Sequence, residues 1–182
     1  MSLHLVRHGR PLVEPALPAA GWELDPAGFD DVWALRESGR LPRRAVWFCS
    51  PEPKAVATAQ LLTEGEVGVV DDLREHERGA GWLEDFAGTV ERAFAEPEQA
   101  AYEGWEPLAR CRERVGAAVR RIADVHRDEE VVLVGHGTAW TLAVAELTGR
   151  PPDLERWREL AMPDVLVVPV VPEGPGADRV GD

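Results

Sequence analysis

Short apolar runs recur along this chain, separated by longer stretches in which apolar residues return every three or four positions. Leu3-His4-Leu5-Val6 is the first run, and similar ones lie at 45–49, 67–70, 131–134 and 165–171. Near-continuous apolar runs of this length predict strands covered on both faces. Pro169 interrupts the last run and places it at a sheet edge. Leu108, Cys111, Val115, Val119 and Ile122 recur at helical spacing and predict a long helix over 106–127. Asp25-Pro26 predicts a helix start, with Val32, Leu35 and Trp33 on its apolar face and Gly39 as its stop. Ser50-Pro51 predicts a second start, capped by Ser50 and running to 63. A further helix over 138–148 is closed by Gly149 and Pro151-Pro152. The stretch 79–105 has no clean period and predicts a short helix or two plus a loop over one end of the sheet. Alternating strands and helices predict an α/β protein, a three-layer α/β/α sandwich with a mostly parallel central sheet. The reading is one domain over 1–182, with a short cap near 79–105 and a frayed Gly/Pro/Asp-rich tail at 172–182.

Charge narrows the partners. The chain carries a net charge of −13, which disfavours nucleic acid and anionic membrane surfaces. Any anion site must therefore be a local basic pocket in an acidic field. Of the 20 basic residues only Lys54 is a lysine. Cys49 and Cys111 lack metal-ligand spacing, and Cys111 falls on the apolar helical stripe, so a disulfide scaffold or structural zinc is not expected. No run reaches the ~18 apolar residues of a membrane span, and no signal pattern precedes the first strand, so the expected location is cytoplasmic.

Two strands end alike, in Val6-Arg7-His8-Gly9 and Val134-Gly135-His136-Gly137. In a parallel sheet those ends share one edge, the edge where open α/β sheets place their sites. Lys54 lies one turn into the helix after the second strand, and Glu75, His76 and Glu77 follow the third. Singly, each has an ordinary reading: a structural histidine, a solvated lysine, a surface carboxylate. Together they match the needs of phosphoryl transfer. One neutral imidazole attacks phosphorus. Cations, a second, protonated imidazole and helix N-termini steady the charge on the equatorial oxygens. A carboxyl group protonates the leaving oxygen and then activates water. This chemistry needs no metal or other cofactor, and the chain lacks the dense Asp/Asn/His set of a two-metal phosphatase.

The chain resembles the histidine phosphatase superfamily, with its phosphoglycerate mutase-like fold, and within it the shorter phosphatase branch. Four motifs carry the resemblance: Leu5-Val6-Arg7-His8-Gly9, Ser50-x-x-x-Lys54-Ala55-x-x-Thr58-Ala59 with one change, Leu73-Arg74-Glu75-x-x-x-Gly79, and Val132-Leu133-Val134-Gly135-His136-Gly137. Residues 24–28 and Glu106, at the start of the long helix, also fit. The resemblance implies a metal-independent phosphatase in which His8 is phosphorylated. Arg7 and His136 then hold the phosphoryl group with Gly137, and Glu75 donates the proton, with His76 and Glu77 as second choices. The implied substrate is a small phosphorylated metabolite or a phosphoprotein. The absence of long insertions favours hydrolysis over a mutase, since a more open site admits water.

Two departures stand out. Lys54 falls where the family has its second arginine, and a point charge replaces a planar fork. Either Lys54 serves as the cation in a pocket adapted to its length, or the protein is a weakened phosphate-ligand binder. A third possibility is a protein-phosphohistidine phosphatase in signalling. After Gly9, Glu14 falls where the family carries a phosphate-holding asparagine, and it is expected to turn away. Arg10 is a candidate extra cation at the mouth.

Overall fold

The computed structural model describes residues 1–79 and 83–169. Strand β1 (Ser2–Arg7) lies inside a five-stranded sheet. It pairs in parallel with β4 (Val131–Gly135) and antiparallel with β5 (Asp164–Pro169). Strands β2 (Val46–Cys49) and β3 (Val67–Val69) complete the order β3-β2-β4-β1-β5. The sheet is thus mostly parallel, and the strand that ends at Pro169 is its antiparallel edge.

Side-chain alternation divides the core into two layers. Leu3, Leu5 and Leu133 point to one face, where helix α4 (Leu108–Val125) lays down Leu108, Cys111 and Val115. Helices α3 (Phe86–Ala95) and α5 (Gly137–Thr148) join that layer through Ala93 and Trp140. Val6, Val132 and Val134 point the other way, onto α1 (Phe29–Glu37) and α2 (Pro53–Leu62). Each large buried aliphatic side chain contributes roughly 1.5–3 kcal/mol. The result is an α/β/α sandwich with one apolar cluster on each face.

Helix boundaries differ from expectation in informative ways. Asp25 caps a single 3-10 turn, Pro26–Gly28, by accepting from the Ala27 N–H at 2.9 Å, and α1 begins only at Phe29. Trp33 is half exposed, while Val32 and Leu35 are buried. Helix α2 starts at Pro53, not Pro51, and Ser50 does not cap it. A proline at 51 and another at 53 offer two competing first positions, and the chain uses the second. That frees the Ser50 hydroxyl and places Glu52 at the N-cap. Helix α4 begins at Leu108 rather than at Glu106. Helix α6 (Leu154–Glu159) has no counterpart in the predicted elements, because six residues carry too little periodicity. Of the predicted cap, residues 80–82 lie outside the described residues, as does the tail at 172–182.

Candidate active site

The strand ladder itself sets the two histidines side by side. Arg7 pairs with Gly135 in register, and the His8 N–H continues the ladder to the Gly135 carbonyl at 2.8 Å. The imidazole rings lie 5.2 Å apart at 65°. Glycine is required on both strands for this approach. A Cβ at Gly9 would stand 2.8 Å from Val32, and one at Gly135 2.5 Å from the Trp140 ring.

His8 is buried, with Nδ1 2.6 Å from the Gly9 carbonyl. A carbonyl only accepts, so Nδ1 carries the hydrogen and Nε2 keeps a free lone pair. Burial, then the neighbouring His136, push the His8 imidazole well below its ordinary value, so it is neutral at neutral pH. His136 is wholly buried, with Nε2 2.7 Å from Ser50 Oγ and 3.4 Å from Glu52 Oε1, while Nδ1 has no partner. Burial, followed by the charges of Lys54, Arg78 and Arg7, pushes His136 well below its ordinary value too. The second imidazole is therefore neutral, not protonated as the sequence reading had it, first because it is buried and then because cations surround it.

Glu75 is the member of the acidic run whose carboxylate reaches the start of α5, directly after His136. Its carboxylate accepts from the backbone N–H groups of His76 and Ala139 at 2.9 Å and of Thr138 at 3.2 Å. It thus occupies the N-terminus of α5, where N–H groups favour an anion. Burial opposes the charge, but Arg78 and the bonded N–H groups prevail and hold the carboxyl below its usual range. Glu77 turns out to solvent onto Arg74, at 2.6 Å. His76 is buried against Trp105, with Nε2 2.7 Å from the Glu106 carbonyl.

Three further residues hold this segment; of them the sequence reading marks only Glu106, as a match at the start of the long helix, and gives it no role. Arg114, from α4, donates to the carbonyls of Asp72 and Arg74 at 3.0 Å and of Glu75 at 3.1 Å. Glu106 pairs with Arg114 at 2.6 Å and accepts from the Glu77 N–H at 2.8 Å. Arg78 donates to Thr138 Oγ1 at 2.8 Å and stacks over Phe86 and Trp105. No sequence cue marks these roles, since helical neighbours meet at three- or four-residue spacing and Glu106, eight residues before Arg114, lies ahead of the first residue of α4.

Lys54 is buried at the site, but its ammonium is engaged. It donates to the Ala19 carbonyl at 2.7 Å and to Glu52 Oε2 at 2.5 Å. The other Glu52 oxygen accepts from the Glu75 N–H at 2.8 Å. Burial raises the Glu52 carboxyl above its ordinary value despite the lysine. An ammonium has three hydrogens, so Lys54 retains one to give. Arg7 donates to the Leu160 carbonyl, and its Nε, buried beside Gly137, has no partner. Arg10 is bound to Asp25 at 2.9 Å. Glu14 is exposed and takes no part in lining the cavity.

These groups form the floor of a cavity of about 890 Å³. Its lining also includes Leu17, Trp22, Leu83, Phe86 and Trp105. Among the described residues, no group of three or more His, Cys, Asp or Glu is placed to hold a metal ion, and no helix is long and apolar enough to cross a membrane.

The fold has solved counterparts. A phosphoserine phosphatase mutant from Entamoeba histolytica, in complex with phosphoserine, superposes with a TM-score of 0.71 at 16% identity, over 91% of this chain and 89% of that one. A mycobacterial glucosyl-3-phosphoglycerate phosphatase gives 0.69 at 22% identity, over 88% and 84%. The alpha-ribazole phosphatase from Shigella flexneri gives 0.65 at 20%, over 87% and 84%. No curated protein sequence matches significantly. A family model, however, matches residues 3–182, nearly the whole chain, and by that match the chain belongs to the histidine phosphatase superfamily (branch 1).

Proposed function

We propose that this protein hydrolyses a phosphomonoester through a phosphohistidine formed on His8. One observation carries the reading. The Gly9 carbonyl fixes the His8 hydrogen on Nδ1 and leaves the Nε2 lone pair free on the floor of the cavity. Nε2 attacks phosphorus, and the P–O bond to the leaving alcohol breaks. Arg7, Arg78 and Lys54 balance the charge on the phosphoryl oxygens. Glu75 relays a proton to the departing alkoxide. Its carboxyl is held below the usual range and is ionised, so that proton arrives with the substrate monoanion, and the incoming phosphate charge raises the carboxyl towards accepting it. Water, with Glu75 as base, then attacks the phosphohistidine, releasing inorganic phosphate and free His8. The positive charge comes from side chains, so no metal is required.

The test is rapid acid- and base-quench with a labelled phosphoester. Wild type accumulates label that is acid-labile and base-stable, and His8→Ala carries none and loses about 10⁴-fold or more in turnover. Equal labelling of the two proteins would move the nucleophile elsewhere.

A second reading, a phosphate-ligand binder with weak turnover, draws support from the Glu52–Lys54 pair. A carboxylate 2.5 Å from the lysine offsets the charge that would otherwise face phosphate. This reading predicts phosphate binding without turnover across a broad ester panel.

A further inference from the structure

The cavity is far larger than a phosphoryl group, and the charged groups Arg10, Arg74 and Glu77 in its lining are taken up in ion pairs. We infer that the substrate is the phosphomonoester of an apolar alcohol, an alkyl or aryl group bearing one phosphate and no second anion. Two observations carry this. The first is the wall. Val13, Leu17, Trp22, Phe86, Trp105 and Met162 all line the cavity. Leu17, Val13, Phe86 and Met162 are each 37–47% exposed, apolar surface left open to water around a site.

The second observation is a count of cations. Arg10 is paired with Asp25, Arg74 with Asp71 and Glu77, and Lys54 with Glu52. Among the described residues that line the cavity, only Arg7 and Arg78 have no carboxylate partner. Two unpaired arginines suffice for one phosphate group. A substrate with a second phosphate or a carboxylate would place it against apolar wall or beside Glu77, with no cation to receive it. Arg78 marks the boundary, its guanidinium lying 4.9 Å from the Phe86 ring centre and 5.3 Å from that of Trp105. Its edge serves the floor while the rings beneath it begin the apolar wall.

The turnover arm of the test rests on the phosphatase reading, so a binding arm accompanies it. The kcat/KM is measured for n-alkyl phosphates from ethyl to octyl, whose leaving alcohols have nearly constant acidity, and for 3-phosphoglycerate and O-phosphoserine. It rises two- to fourfold per methylene, and the two doubly anionic esters fall at or below ethyl phosphate. Calorimetric affinity for the matching n-alkyl phosphonates, which cannot be hydrolysed, rises along the same series. Leu17→Ser and Phe86→Ser each lower the octyl-to-ethyl ratio about tenfold. Turnover of every ester with no chain-length dependence overturns the substrate class and leaves the phosphatase reading standing. No turnover, with phosphonate affinity still rising along the series, overturns the phosphatase reading and leaves the apolar class standing. Phosphoglycerate or phosphoserine outperforming hexyl phosphate also overturns the class.

Discussion

His8 and His136 stand at the ends of adjacent strands whose register is set by five backbone pairs, Leu3 with Val131 through Arg7 with Gly135. Leu17 and Phe86, at the mouth of the same cavity, stand on a proline-rich loop and on the first turn of a helix outside the sheet. The floor is polar and held by ladder bonds, by Arg114 and by Glu52. At the rim Val13, Leu17 and Phe86 are apolar and half exposed. The sheet therefore fixes the chemistry, while loops that can change without disturbing the sheet set what is admitted.

If the floor is a single machine, its carboxylate is the most costly group to lose after His8. Glu75→Gln is expected to lower kcat by about 10²–10⁴-fold on an alkyl phosphate. The loss should be much smaller on 4-nitrophenyl phosphate, whose leaving group needs no proton. Equal losses on both esters would mean that Glu75 serves only to hold the α5 N-terminus.

The pH profile probes the same floor with a smaller effect. His8 is depressed, so it is already a neutral nucleophile at pH 6 and sets no acid limb there. Glu75 is ionised over the same range, so the proton for the leaving group enters on the substrate monoanion, whose second ionisation lies near 6. The kcat/KM should then be level below about pH 6 and fall up to tenfold per unit above it. A profile rising through pH 6–7 would show that an imidazole must lose a proton there and would contradict the buried, neutral His8.

Glu52→Gln tests whether the floor is restrained from within. Neutralising the partner frees the charge of Lys54, and inorganic phosphate should bind about tenfold more tightly, ~1.4 kcal/mol, by calorimetry. Weaker binding would show instead that Glu52 holds Lys54 in position. The smallest expected effect is that of metal removal. Exhaustive EDTA treatment should leave phosphatase activity unchanged, and restoration by added divalent ion would break the picture of a floor whose cations are all side chains.

Much of this was legible beforehand. The apolar runs at 3–6 and 131–134 mark buried strands because only a covered strand tolerates them, and Pro169 marks the edge because it has no N–H for a ladder. His8, Glu75 and His136 could be drawn together on paper because parallel strands end on one edge. Glu52, Arg78 and Arg114 could not. Their roles depend on distances between segments far apart in the chain, and an ion pair leaves no period in a sequence.

Lys54 separates the two kinds of knowledge most clearly. Its identity as the sole lysine, and its place on the helix after β2, are properties of the sequence. Whether its charge meets a phosphate or a carboxylate depends on where α2 begins. Pro51 and Pro53 both satisfy the local rule for a helix start, because each lacks the N–H that a first turn leaves unbonded. Choosing Pro53 turned Ser50 towards His136 and placed the Glu52 carboxylate against Lys54. Local propensity determined the strands, the helices and the edge at which the reactive groups meet. Packing against the neighbouring strand ends, which no local rule contains, decided which of those groups are free to act.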